Sequence, residues 1–213
     1  MITATGISKS YGTKPVLDSI DFHVAAGESA VIVGRNGTGK STLLCILSGY
    51  LRPDAGAVTT AGNGSVAFCP QHDNLFEELT VRDNLRFWAR ARGGPLRQNA
   101  PDFTKLLGVE EYAHKRIHQL SGGMKKSVAI LCALTGNAPV LILDEPFSGL
   151  DIFYKNHLLS ALDNLKHMGK CIIYTSHSLD EITGLDSAIY SLANGKLTHV
   201  GTRETFTIER IGL

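Results

Sequence analysis

The run Gly34-Arg35-Asn36-Gly37-Thr38-Gly39-Lys40-Ser41 limits what this chain can fold into more than any other stretch. It follows the pattern G-x-x-x-x-G-K-[ST], with the apolar run Ser29 to Val33 before it and a helical pattern from Ser41 to Ser48 after it. Successive backbone N–H groups can wrap around phosphate oxygens only where no Cβ obstructs them, which is what the glycines supply. The N-terminus of the following helix adds a favourable dipole. Lys40 provides a cation for the terminal phosphates, and the Ser41 hydroxyl is placed to ligate Mg²⁺. A glycine-rich turn with an incidental lysine would need neither the strand nor the helix.

Short apolar or β-branched runs recur along the 213 residues with helical patterns between them: Ser29 to Val33, Ser65 to Cys69, Val140 to Leu143 and Cys171 to Thr175. Such alternation implies an α/β fold with a mainly parallel central sheet covered on both faces. The last two runs lack polar alternation, so they belong in the middle of that sheet. Ile2 to Ser8 and Ile20 to Val24 alternate more clearly and predict an N-terminal antiparallel β element. Ala188 to Leu192 and Lys196 to Val200 flank Asn194-Gly195, a pair that tolerates the positive φ of a type I′ turn, which predicts a hairpin before a final helix. From Thr80 to about Gly123 strand signals vanish, and helix-like stretches surround the breakers between Gly93 and Pro101. That segment reads as a helical lobe inserted into the α/β core.

Composition narrows the function classes. With 43% hydrophobic and 19% charged residues, 22 Gly and 7 Pro, the chain is neither disordered nor collagen-like. Its net charge of +1 gives no global footprint for nucleic acid or for an anionic membrane. The apolar stretches fall short of the roughly 18 residues a membrane helix needs, and the N-terminus lacks signal-peptide features, so a cytoplasmic chain is expected. Cys45, Cys69, Cys132 and Cys171 lie far apart, as reduced, mostly buried thiols do.

Two further motifs carry chemistry. Val140-Leu141-Ile142-Leu143-Asp144-Glu145 ends a core strand in two carboxylates, at the sheet edge where ligands collect. Asp144 is suited to hold Mg²⁺, and Glu145 to accept a proton from an attacking water. A solvated acidic pair before the turn residue Pro146 is the alternative. Leu120-Ser121-Gly122-Gly123-Met124 opens an apolar helical run through Leu134, so Ser121 can cap a second anion-binding helix end; a small-residue hinge between lobes is the plainer account.

The ordered set decides between them: Gly34 to Ser41, Leu120-Ser121-Gly122-Gly123, Asp144-Glu145, Ser148-Gly149-Leu150-Asp151, then Thr175-Ser176-His177. In this set the chain resembles the nucleotide-binding subunit of an ATP-binding cassette (ABC) transporter over nearly its whole length. The resemblance implies a RecA-like P-loop NTPase core, formed by residues 1–76 and 136–213 of a single cassette, with 77–135 as the inserted helical subdomain. It implies ATP and Mg²⁺ as cofactors, nucleotide contacts from Gly34 through Thr42, and Ser41, Gln71 and Asp144 as the metal-facing residues. Lys40, Glu145 and His177 would be catalytic, the histidine meeting the γ-phosphate. Tyr11 resembles the aromatic that stacks on adenine, although a half-buried core tyrosine would read the same way. Ser121, Gly122 and Gly123 would close on the nucleotide of a second, head-to-tail cassette, most simply a copy of this chain. Asp151 matches the D-loop aspartate at that interface and also sits as N-cap of the helix bearing Leu158, Leu162 and Leu165.

The resemblance further implies an integral-membrane permease partner on a separate chain, no nucleic-acid partner, and a peripheral location on the inner face of the membrane. Met124-Lys125-Lys126 replaces the usual Gln and Arg-rich continuation, a variation similar to export cassettes of the ABC-2 type. The rival reading is a soluble ABC ATPase in nucleic-acid or cofactor maintenance, and a lesser one is a cassette that binds ATP without turnover. His114 and His118, at i and i+4, have no clear third ligand and read as a solvated pair. Arg82, Arg86, Arg90 and Arg92 around Trp88 read as a solvated helix face near the permease.

Overall fold

The uninterrupted apolar runs occupy the middle of a six-stranded sheet. A computed structural model describes residues 1–61, 65–72, 74–92, 103–135 and 138–206. The strands are β1 (Ile2–Tyr11), β2 (Lys14–Val24), β3 (Ser29–Val33), β4 (Ala55–Thr60), β5 (Val66–Cys69), β6 (Val140–Leu143), β7 (Cys171–Thr175), β8 (Ala188–Ala193) and β9 (Lys196–Thr202). In the larger sheet they run in the order β5-β6-β7-β3-β8-β9, parallel except where β9 turns back on β8. Every residue of β3, β6 and β7 is buried, as strands covered on both faces require.

The period of two along each strand divides the interior into two cores. Ala30, Ile32, Ile142 and Ile173 face one side, where α1 (Lys40–Leu47) contributes Leu43, Leu44 and Leu47 and the N-terminal strands contribute Ile2, Ile7 and Phe22. Val31, Val33, Leu141 and Ile172 face the other, beneath α4 (Gly122–Leu134) and α5 (Ile152–His167). The heptad-like leucines Leu158, Leu162 and Leu165 are the buried edge of α5.

The N-terminal element is a second, antiparallel sheet in the order β2-β1-β4. β1 and β2 extend beyond the alternating cores that mark them, up to the turn at Gly12-Thr13. β4 escapes the sequence reading because Ala-Gly-Ala-Val-Thr-Thr is an edge strand with only Val58 packed on the core. The hairpin of β8 and β9 forms as expected, with Asn194 at φ 50° and Gly195 at φ 76°.

Between β5 and β6 the described residues form α2 (Val81–Ala91), α3 (Phe103–Leu106), two 3₁₀ turns (Glu110–Tyr112 and Ile117–Gln119) and α4. Thr80 caps α2 by accepting from the Asp83 N–H at 3.1 Å. Arg82, Arg86 and Arg90 are exposed along α2. Arg92 departs from that face: its guanidinium lies 5.2 Å from the centre of the Trp88 ring and donates to the Cys132 carbonyl at 2.7 Å, tying α2 to the end of α4. His114 and His118 share no helix, and no cluster of three or more metal-ligating side chains occurs among the described residues. Cys69, Cys132 and Cys171 are buried and Cys45 is partly exposed. The breakers between Gly93 and Pro101, and residues 207–213 where the final helix is expected, lie outside the described residues. After α6 (Leu179–Gly184) the chain enters β8. None of the described helices is long and apolar enough to cross a membrane.

Two glycines should respond oppositely to alanine. A Cβ on Gly34 would lie 2.5 Å from the Leu192 carbonyl oxygen of β8, whereas one on Gly122 would meet nothing within 4 Å in the first turn of α4. Urea unfolding should show Gly34→Ala destabilised by about 1–3 kcal/mol and Gly122→Ala unchanged or stabilised by up to about 1 kcal/mol.

Candidate nucleotide site

Parallel strands deliver their C-terminal ends to one edge, and the order β5-β6-β7-β3 sets side by side four loops that are remote in sequence. The loop after β3 carries Gly34 to Gly39 into α1, whose N-cap, Gly39, is left-handed and offers no side-chain cap, so the first helical N–H groups stay bare. Lys40 is only 6% exposed and lies back over its own loop, donating to the Gly34 carbonyl at 2.7 Å and the Arg35 carbonyl at 3.1 Å. Burial pushes the Lys40 ammonium below its usual range, and the nearby carboxylates of Glu145 and Asp144 partly offset this. An open cleft is lined by Asn36, Gly37, Gly39, Lys40, Ser41 and Thr42, by Tyr11 and Val16 from the antiparallel sheet, and by Gln71 and Glu145. Tyr11 is 54% exposed, so about half of its surface is open to solvent beside the cleft.

At the end of β6, Asp144 is buried, and its Oδ1 accepts the Thr175 hydroxyl at 2.7 Å. The other carboxylate oxygen receives no hydrogen bond among the described residues. Glu145 turns out of the strand at φ 46°, a left-handed conformation uncommon for a residue with a side chain. This swings its carboxylate toward neighbouring loops: Oε2 accepts from Gln71 Nε2 at 3.1 Å, and Oε1 lies 3.8 Å from His177 Nδ1. Gln71 follows β5 and His177 follows β7, so three expected residues from three loops meet at one carboxylate. The available donors near the cleft (the Ser41 hydroxyl, the Asp144 carboxylate and the Gln71 amide) are oxygen-rich with one free carboxylate oxygen. That fits a magnesium ion, which takes one or two carboxylates together with phosphates.

Ser121, Gly122, Gly123 and Asp151 do not line this cleft. They form a separate face. Ser121 caps α4 by accepting from Met124 N–H at 3.3 Å, and Asp151 caps α5 by accepting from Phe153 and Tyr154 N–H, each at 3.0 Å. The Tyr154 ring lies so close to Gly123 that an added Cβ would stand 2.8 Å from it, which seats the start of α4 against the first turn of α5.

A family model described as ABC transporter matches residues 17–148 of the chain. The chain belongs to the ABC transporter family. Among the relatives of this cassette, the linearmycin resistance ATP-binding protein LnrL of Bacillus subtilis is 33% identical, aligned over 100% of this chain and 72% of its own length. The Nod factor export ATP-binding protein I of Mesorhizobium japonicum is 35% identical over 97% of this chain and 65% of its own. A solved structure of the ATP binding subunit of an ABC transporter superposes with a TM-score of 0.84 at 29% identity, covering 95% of the cassette and 90% of that chain. The cassette is accordingly an ATPase with the P-loop NTPase fold of that family.

Three side chains that tie the site together carry no role in the sequence reading. Thr175 joins Asp144 to Glu145, and its signal is a polar residue closing an otherwise apolar strand. Lys126, buried on α4, donates to the Gln71 carbonyl at 3.2 Å and so links the signature helix of the cassette to the loop after β5. Glu181, buried on α6, accepts from Ser176 Oγ and from Lys155 Nζ of α5, each at 2.6 Å, and anchors the segment that presents His177. Thermal denaturation of Glu181→Ala should show a loss of about 1–3 kcal/mol, because the buried Ser176 hydroxyl and the partly exposed Lys155 lose a shared acceptor.

Proposed function

We propose that this chain is the motor subunit of an ABC exporter, coupling ATP-driven closure of a head-to-tail pair of cassettes to translocation by a permease on a separate chain. The observation that carries the reading is the meeting of Gln71 and His177 at the Glu145 carboxylate, in a cleft that Glu145 and Gln71 line together with Tyr11 and Lys40. Export is favoured by the functions for which the relatives are named, Nod factor export and linearmycin resistance, and by the Met124-Lys125-Lys126 continuation.

In this reading Tyr11 stacks on adenine, the N–H groups from Gly34 through Thr42, including Arg35, Asn36 and Thr38, wrap the phosphates, and Lys40 exchanges its carbonyl partners for phosphate oxygens. Glu145 accepts a proton from the attacking water, and His177 and Gln71 orient that water. Ser41, Asp144 and Gln71 would hold Mg²⁺, which supplies positive charge to the phosphoryl group being transferred. Ser121, Gly122 and Gly123, with Asp151 beside them, close on the nucleotide of the second cassette, most simply another copy of this chain. That assignment accounts for a capped helix end that lies away from its own P-loop. The helices of 77–135 act as one subdomain against a core of 1–76 and 136–213, and the assembly works at the cytoplasmic face of the membrane through its permease.

Glu145→Gln keeps the shape and removes the proton acceptor. Steady-state ATP hydrolysis should fall by about a hundredfold or more, while ATP with Mg²⁺ shifts the protein to a dimer on size exclusion; unchanged turnover would end the assignment. Lys40→Ala should abolish turnover and weaken binding of a fluorescent ATP analogue. Chelation of Mg²⁺ should stop hydrolysis and leave the thermal stability of the nucleotide-free protein unchanged. Purification from native membranes should bring along an integral-membrane protein.

A further inference from the structure

We propose that Thr175 is a positioning residue for hydrolysis, its buried hydroxyl fixing the Asp144 carboxylate and the Glu145 backbone in one arrangement. The inference rests on the reading of Asp144 as a metal-facing group and Glu145 as the proton acceptor. β7 is Cys-Ile-Ile-Tyr-Thr, fully buried, so an aliphatic side chain would satisfy packing at its last position as well as at the others. The hydroxyl stands where the strand meets the acidic pair of β6. Its Oγ1 lies 2.7 Å from Asp144 Oδ1 and 2.8 Å from the Glu145 nitrogen.

The chemistry of the partners fixes the direction of both bonds. A carboxylate oxygen only accepts, so Thr175 donates its single proton to Asp144. A backbone N–H only donates, so the same oxygen accepts from Glu145. Two consequences follow for the acidic pair. The two oxygens of Asp144 become inequivalent, Oδ1 tied to the protein and the other left for a ligand. Glu145 gains the partner it needs for an N–H that lies beyond the end of β6, at a residue held in a left-handed conformation of φ 46°. The side chain that follows cannot substitute, because the Ser176 hydroxyl is engaged with Glu181 at 2.6 Å. Thr175 is not among the residues that line the cleft, and it acts through the two residues it holds.

The test uses the full chain with Thr175→Val, Thr175→Ser and Glu145→Gln. Thr175→Val should lower kcat by about tenfold to a hundredfold with the nucleotide Kd within about twofold of the parent, and should raise the Mg²⁺ concentration needed for half-maximal rate. Thr175→Ser should restore kcat to within about threefold. Amide hydrogen exchange gives a readout free of turnover: the Glu145 N–H should exchange slowly in the parent and in Thr175→Ser, and faster in Thr175→Val. Parent-like turnover in Thr175→Val, or equal impairment of Thr175→Val and Thr175→Ser, overturns the proposal. Should Thr175→Val not fold, rapid exchange of the Glu145 N–H in the parent overturns it by itself, and slow exchange there with active Thr175→Ser supports it. Full turnover in Glu145→Gln fails the general-base reading and this proposal together, whereas lost turnover in Glu145→Gln with normal turnover in Thr175→Val fails this proposal alone.

Discussion

Parallel pairing of β5, β6, β7 and β3 is the constraint on which the rest of the molecule depends. The strands are apolar along their buried lengths and become polar only where they leave the sheet, so chemistry is confined to the end at which all four chains emerge. Neighbouring register then decides which residues meet. Leu143 pairs with Tyr174, so the residues immediately beyond them, Asp144 and Thr175, fall within hydrogen-bonding distance. The Asp144 N–H is itself held by the Cys69 carbonyl at 3.0 Å, which fixes the acidic pair against β5 as well.

Within that frame the buried ions of the site have partners. Burial of Lys40 opposes its protonated form, and the carboxylates of Glu145 and Asp144 oppose that effect, so the ammonium depends on the acidic pair across the cleft. Behind the site, Glu181 shares its carboxylate between Ser176 and Lys155, and the Tyr174 phenol donates to the Glu181 carbonyl at 3.1 Å. Burial raises the Tyr174 phenol to about 12, which keeps it a neutral donor at any physiological pH. Such internally satisfied polar groups are the ones a protein interior tolerates.

Much of this was legible before any coordinate. The runs at Val140 to Leu143 and Cys171 to Thr175 coincide with β6 and β7, Asn194-Gly195 makes its turn, and both Ser121 and Asp151 cap the helices they precede. What these have in common is a local cause: periodicity, turn chemistry, or a side chain bonding its own backbone. β4 was opaque because an edge strand of small residues has little apolar pattern to show. Lys126 meeting Gln71 and Arg92 meeting the Cys132 carbonyl were opaque for a different reason. Those contacts exist only once α2 and α4 have packed, and no spacing along the chain encodes them. Thr175 lies between the two cases, since its polarity at a buried strand end is visible but its two partners are not.

The hairpin of β8 and β9 has a mechanical consequence. Its Gly195 carbonyl accepts the Asp18 N–H of β2 at 2.9 Å, and Lys196 pairs with the Asp18 carboxylate at 2.7 Å, so its tip is pinned to the antiparallel sheet. Just before the turn, β8 runs alongside the end of β3, and the Leu192 carbonyl stands where a Cβ on Gly34 would come within 2.5 Å of it. Tyr11 and Val16 belong to the sheet that the tip holds, and Gly34 opens the loop that lines the cleft with Asn36, Gly37 and Gly39. One turn of the hairpin therefore touches both the antiparallel sheet and the start of the glycine loop, so a strand pair absent from the cleft lining ties together two of the elements that form it.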